Sequence, residues 1–292
     1  MAKLAIVVVL YRSRDQVGPL WDCLRAQHMT DWRLIVVDND PADAAGDFLA
    51  AQDDPRVSID RNTRNEGFAR AVNAGLRRAL AEGVERCLLL NPDVAFDANF
   101  LSALMAQWDA TSASVIAPRV MFHDEPARAW YAGGSLEYGW IFTNRHDDHR
   151  PDGPERRIVD FASGCCLGIS SAVLRRIGLL DESFFVYWED TDYCMRLAAA
   201  GVPIQYVAKP FLLHHAGASS GGERSATAEA LYYSSYAVLL RKHFAARQVS
   251  AMLARTFLKE RSRPGCRPGR GWEIGLALLR GLVRRRRAMS RL

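Results

Sequence analysis

The stretch Ser183-Phe184-Phe185-Val186-Tyr187-Trp188-Glu189-Asp190-Thr191-Asp192-Tyr193 sets five apolar or aromatic residues directly before three acids within four positions. A carboxylate beside an apolar wall resists ionisation unless partners compensate, and that is how a general base is tuned. Glu189 and Asp190 are therefore candidates for proton transfer. A helix start explains the same acids without chemistry, because they complement the macrodipole and Asp192 can pair with Arg196 one turn on. Leu88-Leu89-Leu90-Asn91-Pro92-Asp93 ends an apolar run on a carboxylate, the group that holds Mg²⁺ or Mn²⁺ against nucleotide phosphates. A turn after Pro92 accounts for Asp93 too. His214-His215, after Phe211-Leu212-Leu213, offers imidazole to Mn²⁺ where a carboxylate shares the site, though a histidine pair at a strand end is more often structural. The Gly/Ser run 217–222 reads as a mobile lid. Arg64-Asn65-Glu66-Gly67-Phe68-Ala69-Arg70-Ala71-Val72-Asn73-Ala74-Gly75 opens a helix after a strand, where Gly67 permits close backbone approach and free N–H groups favour phosphate. Its spacing fits neither the dinucleotide nor the P-loop fingerprint, and helix capping with close packing is the competing explanation.

What must position these groups is an alternation of two periods. Leu4–Leu10, Leu34–Val37, Val57–Ile59, Cys87–Leu90 and Val115–Ala117 are short apolar runs, separated by helical spacing at 15–27, 42–52, 67–82 and 97–109. Continuous apolar strands between helices predict a parallel sheet covered on both faces, with ligands at the carboxyl ends of its strands. Tyr11-Arg12, Asp38-Asn39, Asn62 to Phe68 and Asn91-Pro92-Asp93 stand at those ends. Residues 119–160, rich in Gly, Asp, His, Arg and aromatics, predict a hairpin or long loop on the same rim. Helices are expected near 170–177 and 190–200, short strands near 204–207 and 211–214, then helix at 225–258 and from about 272.

Composition narrows the class. With 292 residues, 49% hydrophobic and 24% charged, the chain excludes disorder and small disulfide scaffolds. The net charge of +5 is uneven: residues 259–292 hold eleven Lys/Arg against Glu260 and Glu273, leaving −4 for residues 1–258. A basic tail is poor grounds for nucleic-acid binding, and no nucleic-acid partner is expected. Six scattered cysteines without a CxxC pair predict a reduced, cytoplasmic protein with no cysteine-held zinc. Leu4–Leu10 is too short and wrongly flanked for a signal peptide, and no apolar run reaches bilayer length.

Jointly these segments resemble family 2 glycosyltransferases of the GT-A fold, most closely their rhamnosyltransferase-like branch, which builds cell-surface polysaccharides. The resemblance is carried by Val7-Val8-Val9-Leu10-Tyr11, Val36-Val37-Asp38-Asn39, Asn65-Glu66-Gly67-Phe68-Ala69 with Asn73 and Gly75, and Leu90-Asn91-Pro92-Asp93-Val94. It continues through Phe161-Ala162-Ser163-Gly164, Asp181-Glu182-Ser183-Phe184-Phe185, Trp188-Glu189-Asp190-Thr191-Asp192 and His214, spanning about residues 4–220. It implies an α/β GT-A fold with a mostly parallel central sheet and a C-terminal helical extension. It also implies inverting transfer of a sugar, rhamnose from dTDP-rhamnose as first choice, to a saccharide or lipid-linked saccharide acceptor. By the same resemblance Tyr11, Arg12, Asp38, Asn65, Gly67, Phe68, Asn73 and Asn91 meet the nucleotide. Asp93 and His214 hold Mg²⁺ or Mn²⁺, Gly164 and Trp188 meet acceptor or sugar, and Asp190 is the base with Glu189 beside it. The usual DxD is Asn91-Pro92-Asp93 here, so its first acid is missing.

The resulting organisation is a glycosyltransferase domain over 1–222, divided into a nucleotide half (1–118) and an acceptor half (119–222). C-terminal helices over 223–262 and a basic amphipathic tail over 263–292 follow. Two other readings stay open: a catalytically inactive sugar-binding relative, which should have lost the acids at 93 and 190, and a dinucleotide oxidoreductase, which should carry GxGxxG after the first strand. In the tail, Trp272, Leu276, Leu279 and Val283 fall on one helical stripe, with Arg280, Arg284, Arg287 and Arg291 on another. Such a helix over 272–291 suits an anionic membrane at the cytoplasmic face, or packing against the protein body.

Overall fold

The computed structural model describes residues 2–40, 42–43, 45–147, 154–215, 225–262 and 269–283. The lid expected at 217–222 and the arginines after Val283 lie outside the described residues. In chain order the elements are β1 (Leu4–Leu10), α1 (Arg14–Arg25), β2 (Trp32–Asp38), α2 (Ala45–Ala50), β3 (Val57–Arg61), α3 (Phe68–Ala81) and β4 (Arg86–Leu90). There follow β5 (Val94–Ala95), α4 (Phe100–Thr111), β6 (Val115–Phe122), β7 (Ala129–Tyr131), β8 (Gly134–Tyr138), β9 (Phe142–His146), β10 (Arg156–Val159) and β11 (Cys166–Ser170). The chain continues with α5 (Ser171–Ile177), α6 (Glu189–Ala199), β12 (Ile204–His214), α7 (Ala226–His243), α8 (Ala246–Arg261) and α9 (Arg270–Val283).

Every residue of β1 is buried, as an apolar strand with helices on both faces must be. β3, β2, β1 and β4 are parallel neighbours, with Leu10 level with Asp38 and Val7 level with Leu89. Their carboxyl ends form one edge. β11 then enters antiparallel between β4 and β6, Cys166 opposite Leu90 and Gly168 opposite Ile116. β12 runs parallel to β6, with a register shift between Val207 and Phe211, so the two short strands expected there are one irregular strand. The two-residue β5 folds back onto β12 and sets Val94 opposite His214. The aromatic stretch forms β7 on β6 and the β8–β9 hairpin, as its composition suggested.

The expected helix over 225–258 is two helices, broken where Phe244 is extended. They and α9 build a second hydrophobic cluster, which draws Phe142, Phe184 and Trp188 from the preceding chain. One ion cluster ties α7 to α6 and to the loop before it. Buried Asp192 meets Arg196, Lys242 and His243 at 2.9, 2.7 and 2.7 Å, and Lys242 also reaches Asp181 at 2.6 Å. Burial alone would raise the Asp192 pKa; His243, Arg196 and Lys242 reverse this and hold it at about 2.

Candidate active site

The β5–β12 ladder brings Asp93 and His214 together. Asp93 Oδ1 lies 3.3 Å from His214 Nε2, and both side chains are buried. Burial would lower the His214 pKa, but neighbouring Cys165 and Asp93 more than reverse it, to about 10. His214 Nδ1 is buried without a hydrogen-bond partner. A buried carboxylate and imidazole at this separation, with a proton where a cation would sit, fit a hard or borderline divalent ion. His123, Asp124 and His215 stand just outside, and the two rings stack at 3.4 Å. They are more exposed, which leaves the buried pair as the better shielded set.

The acids at the start of α6 form the second centre. Tyr187 and Trp188 both adopt left-handed backbone, φ 68° and 69°, immediately before Glu189. Such conformations persist in non-glycine residues only when surrounding contacts enforce them. The carboxylate of Asp190 accepts hydrogen bonds from the Gly164 N–H (3.2 Å), the Thr191 N–H (2.6 Å) and the Thr191 hydroxyl (3.2 Å). Thr191 is steadied in turn by the Asn144 amide of β9 at 2.7 Å. Burial raises the Asp190 pKa against these bonds. Glu189 has no comparable donors: its Oε2 is buried and unpartnered, and burial, Asp190 and Asp192 push it up to about 8. Of the two acids, Asp190 is the one supplied with several hydrogen-bond donors that favour its charged form.

The loop 163–165 joins the two centres. Gly164 donates to Asp190, while the Cys165 carbonyl accepts from the Asn91 N–H at 2.9 Å. The Phe68 ring stands within van der Waals reach of Gly164. Trp130 spans the remaining side, edge-on to His214 (4.5 Å) and to His146 (4.6 Å). His146 bonds the Trp130 carbonyl at 3.1 Å and feels the Asp190 charge, yet burial keeps its pKa low and its ring neutral.

Along the same edge lie the residues assigned to the nucleotide. Asp38, at the end of β2, is buried; burial raises its pKa against the Asp40 N–H and Arg61 at 3.3 Å. Tyr11 and Arg12 follow β1 with Arg12 exposed, its guanidinium 5.3 Å from the Tyr11 ring centre. Asn39 is the hub of this rim and was not among the site residues named from sequence. Its amide group donates to Asn65, and its oxygen accepts from Asn62 and from the Glu66 N–H.

Three of the residues assigned by the resemblance are already engaged by protein. Asn73 is fully buried and bonds both the N–H and the carbonyl of Leu180, and Glu182 besides. Trp188 is buried against Phe142, Tyr232 and Tyr236, so its ring packs α7 onto the loop before α6. Gly67, at φ 88°, does permit a close approach, but the neighbour is Phe185, whose carbonyl would lie 2.6 Å from a Cβ there and takes the Phe68 N–H. The first N–H of α3 is thus already satisfied by protein. Trp130 and His146 were legible only as part of an aromatic, histidine-bearing stretch.

A mostly parallel sheet of this strand order flanked by helices is the GT-A fold, and its edge carries the buried Asp93–His214 pair with the acids of α6 nearby. Residues 5–178 match the family described as Glycosyl transferase family 2, and the chain belongs to it. It is 27% identical over 189 residues to the dTDP-rhamnosyl transferase RfbF of Shigella flexneri, covering 64% of this chain and 61% of that protein. The chain thus spans about three fifths of that relative's length. With the N-acetylglucosaminyl-diphospho-decaprenol L-rhamnosyltransferase of Mycobacterium tuberculosis it shares 27% identity over 268 residues, 82% of this chain and 85% of the relative. The fold superposes on the crystal structure of GalNAc-T7 with UDP, GalNAc and Mn²⁺ at a TM-score of 0.66 and 12% identity, covering 95% of this chain and 54% of that one.

Proposed function

We propose that the protein is an inverting glycosyltransferase that moves rhamnose from dTDP-rhamnose to a saccharide on a lipid carrier. The observation that carries this reading is the meeting of two centres through loop 163–165: Asp93 with His214, and Asp190 accepting from the Gly164 N–H. The names of the Shigella and mycobacterial relatives support the sugar, and that of the latter supports the lipid-linked acceptor. Such an acceptor, with the basic tail, places the reaction at the cytoplasmic face of a membrane.

Inversion needs one displacement. Asp190 takes the proton of the acceptor hydroxyl as that oxygen attacks the anomeric carbon, and the bond to the diphosphate breaks with its electron pair leaving on the diphosphate. Glu189 already holds a proton at neutral pH, so it positions rather than accepts. Asp93 and His214 would hold Mg²⁺ or Mn²⁺, whose charge stabilises the departing diphosphate. Tyr11, Arg12, Asp38 and the asparagine-braced loop before α3 bound the nucleotide side, and Trp130 with Gly164 bounds the space towards the base.

The test is Asp190→Asn with dTDP-rhamnose. Release of dTDP should fall by roughly 10²–10⁴, the range for a lost general base, while calorimetric dTDP affinity stays. Turnover within tenfold of the parent, or nucleotide affinity lost in step with it, refutes the assignment. A thermal-shift panel of nucleotide sugars then reads the donor, since the true ligand raises the melting temperature most.

A further inference from the structure

α9 has two apolar faces, and the protein uses one. Ile274, Ala277 and Leu278 are buried against α7 and α8. Gly281 sits so close to α7 that a Cβ would meet the Ser234 carbonyl. Arg270, itself buried, locks the start of the helix through Glu229 at 2.9 Å and Glu260 at 2.8 Å. The helix cannot roll. Trp272, Leu276, Leu279 and Val283 therefore stay outward, at 80, 52, 59 and 79% exposure. Their spacing of i, i+4, i+7 and i+11 makes one stripe along roughly 16 Å of helix. Scattered exposed apolar residues are ordinary, but a continuous row beginning at a Trp marks a surface made to be covered.

We propose that this stripe docks the protein on an anionic lipid surface, with α9 lying in the plane of the interface. For its purpose the proposal rests on the lipid-linked acceptor above; the surface itself stands on exposure and charge. Residues 259–292 carry a net +9, with Arg284 to Arg287 directly following the stripe in sequence. An apolar stripe followed in sequence by clustered arginines matches the composition of segments that settle between acyl chains and acidic headgroups. The same charge argues against a second copy of the chain, which would bring a tail of like sign. No described helix is long and apolar enough to cross a bilayer, so the helix lies on the surface. Docking also has a direction. Arg280 lines, with Leu231 and Ser234 of α7, a cleft of about 390 Å³ whose other wall is Phe185, in the loop leading to Glu189 and Asp190. The helix that meets the lipid thus shares a cleft with the loop that precedes the two acids.

The experiment is co-sedimentation of the full chain with phosphatidylglycerol–phosphatidylcholine vesicles and with pure phosphatidylcholine, at low and high salt. The comparison is a Trp272→Ser/Leu276→Ser/Leu279→Ser/Val283→Ser variant whose melting temperature is checked against the parent. The parent should pellet with anionic vesicles and release at high salt, and the variant should partition at least about tenfold less. The variant should release dTDP from dTDP-rhamnose in lipid-free buffer as the parent does; failure of both there counts against the glycosyltransferase reading and leaves the vesicle result to judge the docking. Equal pelleting of parent and variant, or parent binding indifferent to lipid charge and salt, overturns the proposal. So does a parent that ignores vesicles and forms a dimer that the variant loses.

Discussion

Replacing Glu189 by Gln keeps the shape of the side chain and removes its titration. In the folded protein this carboxyl, buried beside Asp190 and Asp192, loses its proton only at about 8, against 4.5 for an unhindered glutamate. Because the folded-state value lies above the unfolded one, the unfolded chain releases the proton first. Folding is then increasingly opposed from about pH 4.5 up to about 8. At neutral pH the gap is about 2.5 units, and at about 1.4 kcal/mol per unit it costs on the order of 3 kcal/mol. Unfolding entropy of about 2.1 cal/mol/K per residue over 292 residues turns that into a rise of about 5 °C in melting temperature for Glu189→Gln at pH 7. At pH 4.5 the two proteins should melt together. Scanning calorimetry of both from pH 4.5 to 8.5 reads the divergence directly. Turnover should suffer less than in Asp190→Asn, since a neutral amide replaces a neutral carboxyl. A melting difference that ignores pH, a variant that loses stability as pH rises, or turnover as crippled as in Asp190→Asn would refute the reasoning.

Asp93→Ala should abolish the Mg²⁺- or Mn²⁺-dependent part of dTDP binding, read by calorimetry with and without EDTA; equal affinities in all four measurements would count against the metal-holding role. The Asp192 cluster should give an acid transition: its carboxyl sits below its unfolded value, so about 2 kcal/mol is present above about pH 4 and lost as pH falls through about 2. Asp192→Asn should flatten that stretch of the stability curve and cost about 3–5 kcal/mol at pH 7, measured by urea unfolding, because Lys242 and Arg196 keep their charge without the acid.

The nucleotide half was legible because its strands are apolar throughout and end in polar residues, so both position and ligand edge can be read from one pattern. Direction was not. The run around Cys166–Ser170 is as apolar as a parallel strand, and only the fold shows it entering antiparallel beside β4. The acids at 189 and 190 announced themselves by type, but the donors that distinguish Asp190, from Gly164 and Thr191, are set by tertiary contacts. Asn73 looked like a ligand for the opposite reason: a polar side chain on a helix gives no sign that a loop over one hundred residues on will bury it. In the tail, sequence spacing singled out Trp272, Leu276, Leu279 and Val283, whereas packing buries Ile274, Ala277 and Leu278.

Trp188 and Asp192 bear on how a protein of this kind can diverge. The family match ends at Gly178, yet residues that pack against the left-handed turn before α6 and pair with the acidic helix come from α7. Exchanging the C-terminal helices between relatives would uncover an indole and strand a buried carboxylate unless Tyr232, Tyr236, Lys242 and His243 travelled along. A chimaera that joins two relatives near residue 222 keeps this packing only if those four positions are matched to the loop they grip, so the helical segment and the loop behave as one structural unit although they are far apart in the chain.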